Sequence, residues 1–124
     1  MKLTKKSEYA CMAMIDLSEN YNKGFVRIGD ISKRKKIPKK YLEQILLLLK
    51  SSGYLMSMRG PGGGYRLSKP PCSISVAEIL EPTGGSLASI GSASNEKLIE
   101  LFGEIGDCIV NKLEKITFAN LIEE

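Results

Sequence analysis

Between Thr4 and Tyr21, apolar positions Ala10, Ala13, Met14, Leu17 and Tyr21 recur at three- and four-residue spacing, the signature of a helix with one buried stripe. Thr4 is placed to cap that helix and Glu8 to complement its first turn, and the cluster Asn20 to Gly24 stops it. A second, short helix is expected over Ile28 to Lys35, with Ile28 and Ile31 inward. Ile37-Pro38 forces a restart, because the residue before a proline avoids the helical region. Pro38 then suits the opening of a third helix. That helix, PKKYLEQILLLLKSSG, runs to Gly53; its first turns are polar, and the unbroken apolar run Ile45 to Leu49 is expected to be buried.

Tyr54 to Met58 and Tyr65 to Leu67 are short strand patterns on either side of Arg59-Gly60-Pro61-Gly62-Gly63-Gly64, so the segment reads as a β-hairpin. After Pro70-Pro71, Ser75 to Leu80 reads as a short helix capped by Ser73 or Ser75. Residues 82–95, rich in Gly, Ser and Ala, are expected to form a flexible connection. Leu98, Leu101, Phe102, Ile105, Cys108, Ile109, Leu113 and Ile116 then mark an apolar stripe on a long helix. A last short helix from Thr117 would bury Phe118, Leu121 and Ile122. The pattern predicts a mainly α fold with a small β-hairpin. Helix, helix, helix, hairpin is the order of a winged helix-turn-helix, here followed by a long C-terminal helix. The expected division is a winged helix-turn-helix domain over 1–72, then the connection, a dimerisation helix and a short closing helix over 73–124.

Charge sharpens this division. Residues 1–70 carry 15 of the 18 Lys and Arg but 5 of the 14 acids, a net +10, while the remainder carries −6. Such segregation makes the N-terminal part a candidate polyanion-binding unit and leaves the C-terminal part for another task. The first ten residues, MKLTKKSEYA, lack the apolar core of a secretory signal, and no apolar run is long enough for a membrane span. The expected location is the cytoplasm, with no membrane partner.

The glycine loop invites a nucleotide-binding reading, which its spacing defeats. A phosphate loop of the GxxxxGK type requires a second glycine five residues after the first and then lysine; five after Gly60 stands Tyr65, followed by Arg66. A dinucleotide fingerprint requires glycines at relative positions one, three and six at the start of a helix. Counted from Gly60 or Gly62 the sixth position is Tyr65 or Leu67, in a strand pattern. The chain has no histidine, which removes the commonest general base and metal ligand. Glu8, Asp30 and Glu43 are single carboxylates on helices, and an enzyme is the least favoured class.

Cys11, Cys72 and Cys108 are odd in number and widely spaced, which argues against a disulfide framework or a CxxC motif. Cys11 and Cys108 read as small packing residues. Cys72, in a loop after the two prolines, is the candidate redox thiol.

In a winged helix-turn-helix, the second helix of the motif enters the major groove and the hairpin reaches the backbone or minor groove. Gln44 can pair with adenine and Glu43 can accept from the cytosine amino group, while Lys39 and Lys40 suit phosphate or guanine. Lys5, Lys6 and Tyr9 are placed for backbone contacts. A nonspecific nucleic-acid or protein interaction module using the basic half is the alternative.

The N-terminal MKLTKKSEYA, the helix YLEQILLLLKSSG, the stretch MRGPGGGYRLSKPP and the closing ITFANLIEE together resemble the Rrf2-type family of bacterial transcription regulators that includes IscR, NsrR and CymR. The resemblance spans essentially the whole chain, and YLEQIL with RGPGGGYRL at this spacing is its most specific part. It implies a homodimer, swapped around the long helix, that binds a palindromic double-stranded DNA operator near a promoter, most simply as a repressor. By position, Glu43 and Gln44 would read the major groove, Arg59 would enter the minor groove beside Gly60, and Tyr9, Lys40 and Tyr41 would support phosphate contacts, with Pro38, Pro61, Gly62 and Gly63 counted among the DNA-binding residues. Leu98, Leu101, Phe102, Ile105, Cys108, Ile109 and Leu113 would form the dimer contact. Members that sense iron-sulfur status, nitric oxide or redox state carry three closely spaced cysteines before the long helix. Here SLASIGSASNEKLIELFGEIGDC holds only Cys108. No metal or cofactor is therefore expected, an iron-sulfur cluster included, and a thiol, small molecule or partner protein is left as the signal.

Overall fold

The computed structural model describes residues 3–84 and 95–122. Its elements in chain order are helices α1 (Lys5–Glu19), α2 (Ile28–Lys35) and α3 (Lys39–Ser51), strands β1 (Leu55–Met58) and β2 (Gly64–Leu67), and helices α4 (Val76–Leu80), α5 (Glu96–Lys115) and α6 (Phe118–Ile122). Short 3-10 turns lie at Tyr21–Lys23 and Pro71–Ser73. Among the described residues no helix is long and apolar enough to cross a membrane.

Helix α1 starts where Thr4 accepts a hydrogen bond from the Ser7 amide at 3.0 Å, satisfying one of the first-turn donors. Its buried stripe, Ala10, Ala13, Met14 and Leu17, is the centre of the core. Ile31 of α2, Leu42, Ile45, Leu46 and Leu49 of α3, and Leu55 and Leu67 of the hairpin close on it. Ile74, Val76, Ile79 and Leu80 extend the same core, and Phe118 of α6, fully buried, completes it. Segments before and after residue 72 therefore share one apolar interior.

Two polar devices fix the helices. Asp16, 2% exposed, accepts from Arg34 Nε at 2.8 Å and from its second guanidinium nitrogen at 3.0 Å, joining α1 to α2. This fork-to-fork pair is the strong form of a charge-assisted contact, and it raises the Arg34 pKa, first through the hydrogen bond to Asp16. Between α2 and α3 the chain reverses at Lys36, which adopts the left-handed conformation with φ 55°. Ser32 stitches that turn, donating its hydroxyl to the Ile37 carbonyl at 2.6 Å and accepting the Ile37 amide on its own carbonyl at 3.1 Å.

The hairpin pairs Leu55 with Leu67 and Met58 with Gly64 in antiparallel register. It does not stand alone. Val26, ahead of α2, donates to the Tyr65 carbonyl at 2.7 Å and accepts from the Tyr65 amide at 2.8 Å, adding a third extended segment beside β2. Ser75 caps α4 in a reciprocal capping box with Glu78, which selects it over Ser73.

Three expectations are corrected. The run Ile45 to Leu49 is not uniformly buried: Leu47 is 58% exposed. Five consecutive residues at about 100° each sweep all round a helix, so they cannot share one face. Leu121 is exposed, because the five-residue α6 presents Phe118 to the core and has no second turn behind it. Cys108 is exposed rather than packed, since nothing within the described chain covers that side of α5. Of the connection expected over 82–95, residues 85–94 lie outside the described residues; Thr83, at its start, is buried and hydrogen-bonds to Ser7, with donor and acceptor oxygens 3.1 Å apart.

Helix α5 is tethered at its C-terminal end. Leu113 and Ile116 pack against the core, while Leu98, Leu101 and Ile105 are 40–46% exposed. Ile105, Cys108, Ile109 and Leu113 line a shallow apolar groove along the helix, edged by Glu104 and Lys112.

Candidate nucleic-acid interface

Three chain segments carry the predicted binding residues: the first turns of α1, the start of α3 and the turn between β1 and β2. Lys5 and Lys6 are exposed in the first turn of α1, and Tyr9 is half-buried one turn on. Tyr9 meets Tyr41 of α3 edge-to-face, with ring centroids 5.5 Å apart and planes at 78°. This contact holds the start of α1 against the start of α3. The Lys5 ammonium sits 5.7 Å from the Tyr9 ring centre and 3.5 Å from Glu8.

On α3, Lys39, Lys40, Glu43 and Gln44 are exposed while Leu42, Ile45 and Leu46 are buried. The polar opening of the helix thus faces outward because its apolar side is fixed in the core. No side chain caps α3 at Pro38 or α2 at Arg27. Helix starts without an internal partner leave N–H groups and a positive dipole end for an anion.

The wing tip projects Arg59, Gly60, Pro61 and Gly62 into solvent, whereas Gly63 is buried and donates its amide to the Gly60 carbonyl at 2.9 Å. The glycines serve the loop's own fold first. A Cβ at Gly63 would strike the Met58 carbonyl oxygen, and one at Gly64, where φ is +142°, would strike the Val26 carbonyl. The two arginines that bracket the loop also differ. Arg66 stacks over Phe25, 5.3 Å from the ring centre, while Arg59 forms no ion pair with the described residues. Lys6, Lys39 and Lys40 likewise form none; among the described residues the pairs are Lys5–Glu8, Arg34–Asp16 and Lys35–Glu19.

The structure brings the wing and α3 to one side. An open cleft of about 610 Å³ lies between the wing tip at Gly60 and Pro61, Lys39, and the start of α2 at Arg27, Ile28 and Gly29, with Asp30 on its wall. Arg27 and the start of α2 line this cleft although no sequence motif marks them. The readable signal was the absence of Ser, Thr, Asp or Asn at the cap position. Tyr65 and Leu67 anchor the wing, Leu67 in the core and Tyr65 against it.

The cysteines lie on three separate elements: Cys11 on α1, Cys72 in the 3-10 turn and Cys108 on α5. Burial pushes the Cys11 thiol up to about 11, so it stays protonated and unreactive. Among the described residues no group of three or more His, Cys, Asp or Glu side chains could hold a metal ion. The segment 85–94, GSLASIGSAS, contributes no Cys, His, Asp or Glu.

This arrangement, three helices and a hairpin with a polar helix start and an arginine-tipped wing on one side, defines a winged helix-turn-helix protein. The Rrf2 family, described as iron-dependent transcriptional regulators, matches residues 3–124. The HTH-type transcriptional regulator IscR of Escherichia coli is 35% identical over 130 residues, covering 98% of this chain and 80% of that protein. Among solved structures, CymR, the global cysteine regulator of B. subtilis, superposes with a TM-score of 0.89 at 26% identity, covering 98% of this chain and 95% of that one. IscR of T. potens gives a TM-score of 0.85 at 29% identity, covering 98% and 86%. The chain belongs to the Rrf2 family of transcriptional regulators, which are not enzymes. The three thiols of this chain lie on separate elements, and it has no histidine.

Proposed function

We propose that this chain is a homodimeric, sequence-specific DNA-binding repressor acting on a palindromic operator in the bacterial cytoplasm, without an iron-sulfur cluster. The observation that carries the reading is the placement, on one side of the unit, of an outward-facing polar helix start and an arginine-tipped wing, both backed by the core. In this reading Glu43 and Gln44 meet base edges in the major groove and Arg59 enters the minor groove. Lys5, Lys6, Lys39, Lys40, Tyr9, Tyr41 and the uncapped start of α3 at Pro38 contact phosphates. Gly60, Pro61, Gly62 and Gly63 form the close-approaching tip. Residues 1–72 do the binding, and 73–124 supply the dimer.

The dimer is supported by the exposed apolar stripe of α5, which a monomer would leave in water. Its contacts are Leu98, Leu101, Phe102, Ile105, Cys108, Ile109 and Leu113. Two-fold symmetry would set the recognition helices about 34–36 Å apart, one DNA turn, or a multiple of it. The signal is then a small molecule, a partner protein or a thiol, with Cys72 the candidate thiol, exposed and outside the dimer stripe. Protein purified without oxygen should be colourless and metal-free, sediment as a dimer at micromolar concentration, and footprint a two-fold symmetric site upstream of a gene. A coloured, iron-loaded protein would overturn the cluster-free reading. A monomer that binds all duplexes alike, losing affinity with salt but showing no preferred site, would favour the nonspecific module.

A further inference from the structure

The face of α3 that carries Lys40, Glu43 and Gln44 continues with an apolar residue. Lys40, Glu43, Gln44 and Leu47 stand at i, i+3, i+4 and i+7, and all four are exposed, Leu47 by 58%. The core-facing side of the helix is complete without it, filled by Leu42, Ile45, Leu46 and Leu49, each 0–1% exposed. Helix propensity does not require a leucine here, because Lys, Glu, Gln and Arg serve about as well. Leu47 is thus a large apolar side chain that extends a polar recognition face, mostly exposed and outside the core cluster.

In the major groove, the one apolar group that distinguishes a base pair is the C5-methyl of thymine. Leu47 lies three residues beyond Gln44, about 4.5 Å along the helix at 1.5 Å per residue. That is close to the rise of about 3.4 Å between base pairs, which puts Leu47 within reach of the neighbouring pair. We infer that Leu47 is a specificity-determining residue that packs on a thymine methyl, in each half-site, next to the base pair read by Glu43 and Gln44. This inference rests on the DNA-reading role given above. It assigns to that surface a hydrophobic contact in addition to its charged and amide contacts.

The test uses the full chain and a random-sequence duplex library. The duplex enriched by the wild type is resynthesised with each thymine replaced in turn by uracil, which keeps the pairing and removes only the methyl. Affinities are measured for wild type, Leu47→Ala and Leu47→Met, and Gln44→Ala locates the base pair that Gln44 reads. One thymine per half-site, adjacent to that pair, should weaken wild-type binding about 4-fold on conversion to uracil, and about 15-fold when both half-sites are converted, as the loss of one buried methyl each implies. Leu47→Ala should be indifferent to uracil at that position and as sensitive as wild type elsewhere, and Leu47→Met should retain the discrimination. Equal uracil sensitivity of wild type and Leu47→Ala would overturn the inference while leaving DNA reading intact. A Leu47→Ala chain that sediments as a monomer with unchanged uracil sensitivity would assign the residue to a protein contact instead, which also overturns it. If the wild type enriches no sequence, the DNA-reading role itself fails and Leu47's role falls with it.

Discussion

Replacing Gly64 by alanine should detach the wing from the body of the protein. The residue has φ +142°, and a Cβ there would collide with the carbonyl of Val26. Holding a non-glycine residue in so sparsely populated a region costs about 1–3 kcal/mol. With backbone atoms that close to the Cβ the chain must also shift, pulling β2 away from Val26. That movement sacrifices the two Val26–Tyr65 backbone hydrogen bonds, at 2.7 and 2.8 Å, each worth about 0.5–1.5 kcal/mol net. Gly64→Ala should therefore lose about 1–3 kcal/mol of stability after allowing for the roughly 0.4–1 kcal/mol that alanine gains by restricting the unfolded chain. Urea unfolding at fixed protein concentration, followed by circular dichroism, should show a lower midpoint with an unchanged slope. Because the wing then no longer holds Arg59 beside α3, operator affinity should fall further than stability alone predicts. Gly29→Ala, in helix α2 where a Cβ meets nothing within 4 Å, should show no such loss of stability. A Gly64→Ala protein within about 0.5 kcal/mol of wild type, the range of ordinary surface substitutions, would refute the claim that Gly64 is required by the wing's own packing.

Three further outcomes are expected. Asp16→Ala removes the acceptor of both Arg34 hydrogen bonds and should destabilise by about 1–3 kcal/mol; the lower half is favoured because Arg34 is half-exposed and water can take over its donors, and an unchanged urea midpoint would show the pair to be idle. Lys36→Gly relieves a side chain held at φ 55° and should raise stability by about 0.5–1 kcal/mol, the balance of left-handed strain against glycine's unfolded-state entropy; a lower midpoint would contradict this. In thiol labelling near pH 8, Cys72 should react quickly and Cys11, its thiol raised to about 11, slowly, while Cys108 should slow as protein concentration rises and α5 becomes covered; a concentration-independent Cys108 rate would count against the dimer contact.

The elements set by local signals were legible. Helix α2 is bounded as the pattern places it, because Pro38 and the preceding Ile37 mark its end. The hairpin followed from two short strand patterns around a glycine loop, and Pro38 marked the start of α3. What the sequence did not disclose are pairings between distant positions that leave no periodic trace. Asp16 and Arg34 are 18 residues apart, Ser7 and Thr83 are 76 apart, and the Val26–Tyr65 bridge joins a linker to the wing. The glycine loop shows the limit most plainly. Its spacing excluded a nucleotide site, but only the positions of the Met58 and Val26 carbonyls show why Gly63 and Gly64 admit no side chain. Leu47 misled for the opposite reason: a continuous apolar run suggests burial, and only the angular sweep of the helix separates the residue that faces out.

The central claim is that the outward face of α3 and the wing together read a specific duplex. Its most direct test is the ratio of affinities for a library-enriched duplex and a scrambled one, at about 0.15 M salt, for wild type and Arg59→Ala. Wild type should prefer the enriched duplex by about 10³-fold or more, the usual span between specific and nonspecific binding. Arg59→Ala should reduce that preference, mainly at A·T-rich positions of narrow minor groove. A wild-type ratio near one, or a ratio untouched by loss of Arg59, would contradict the account.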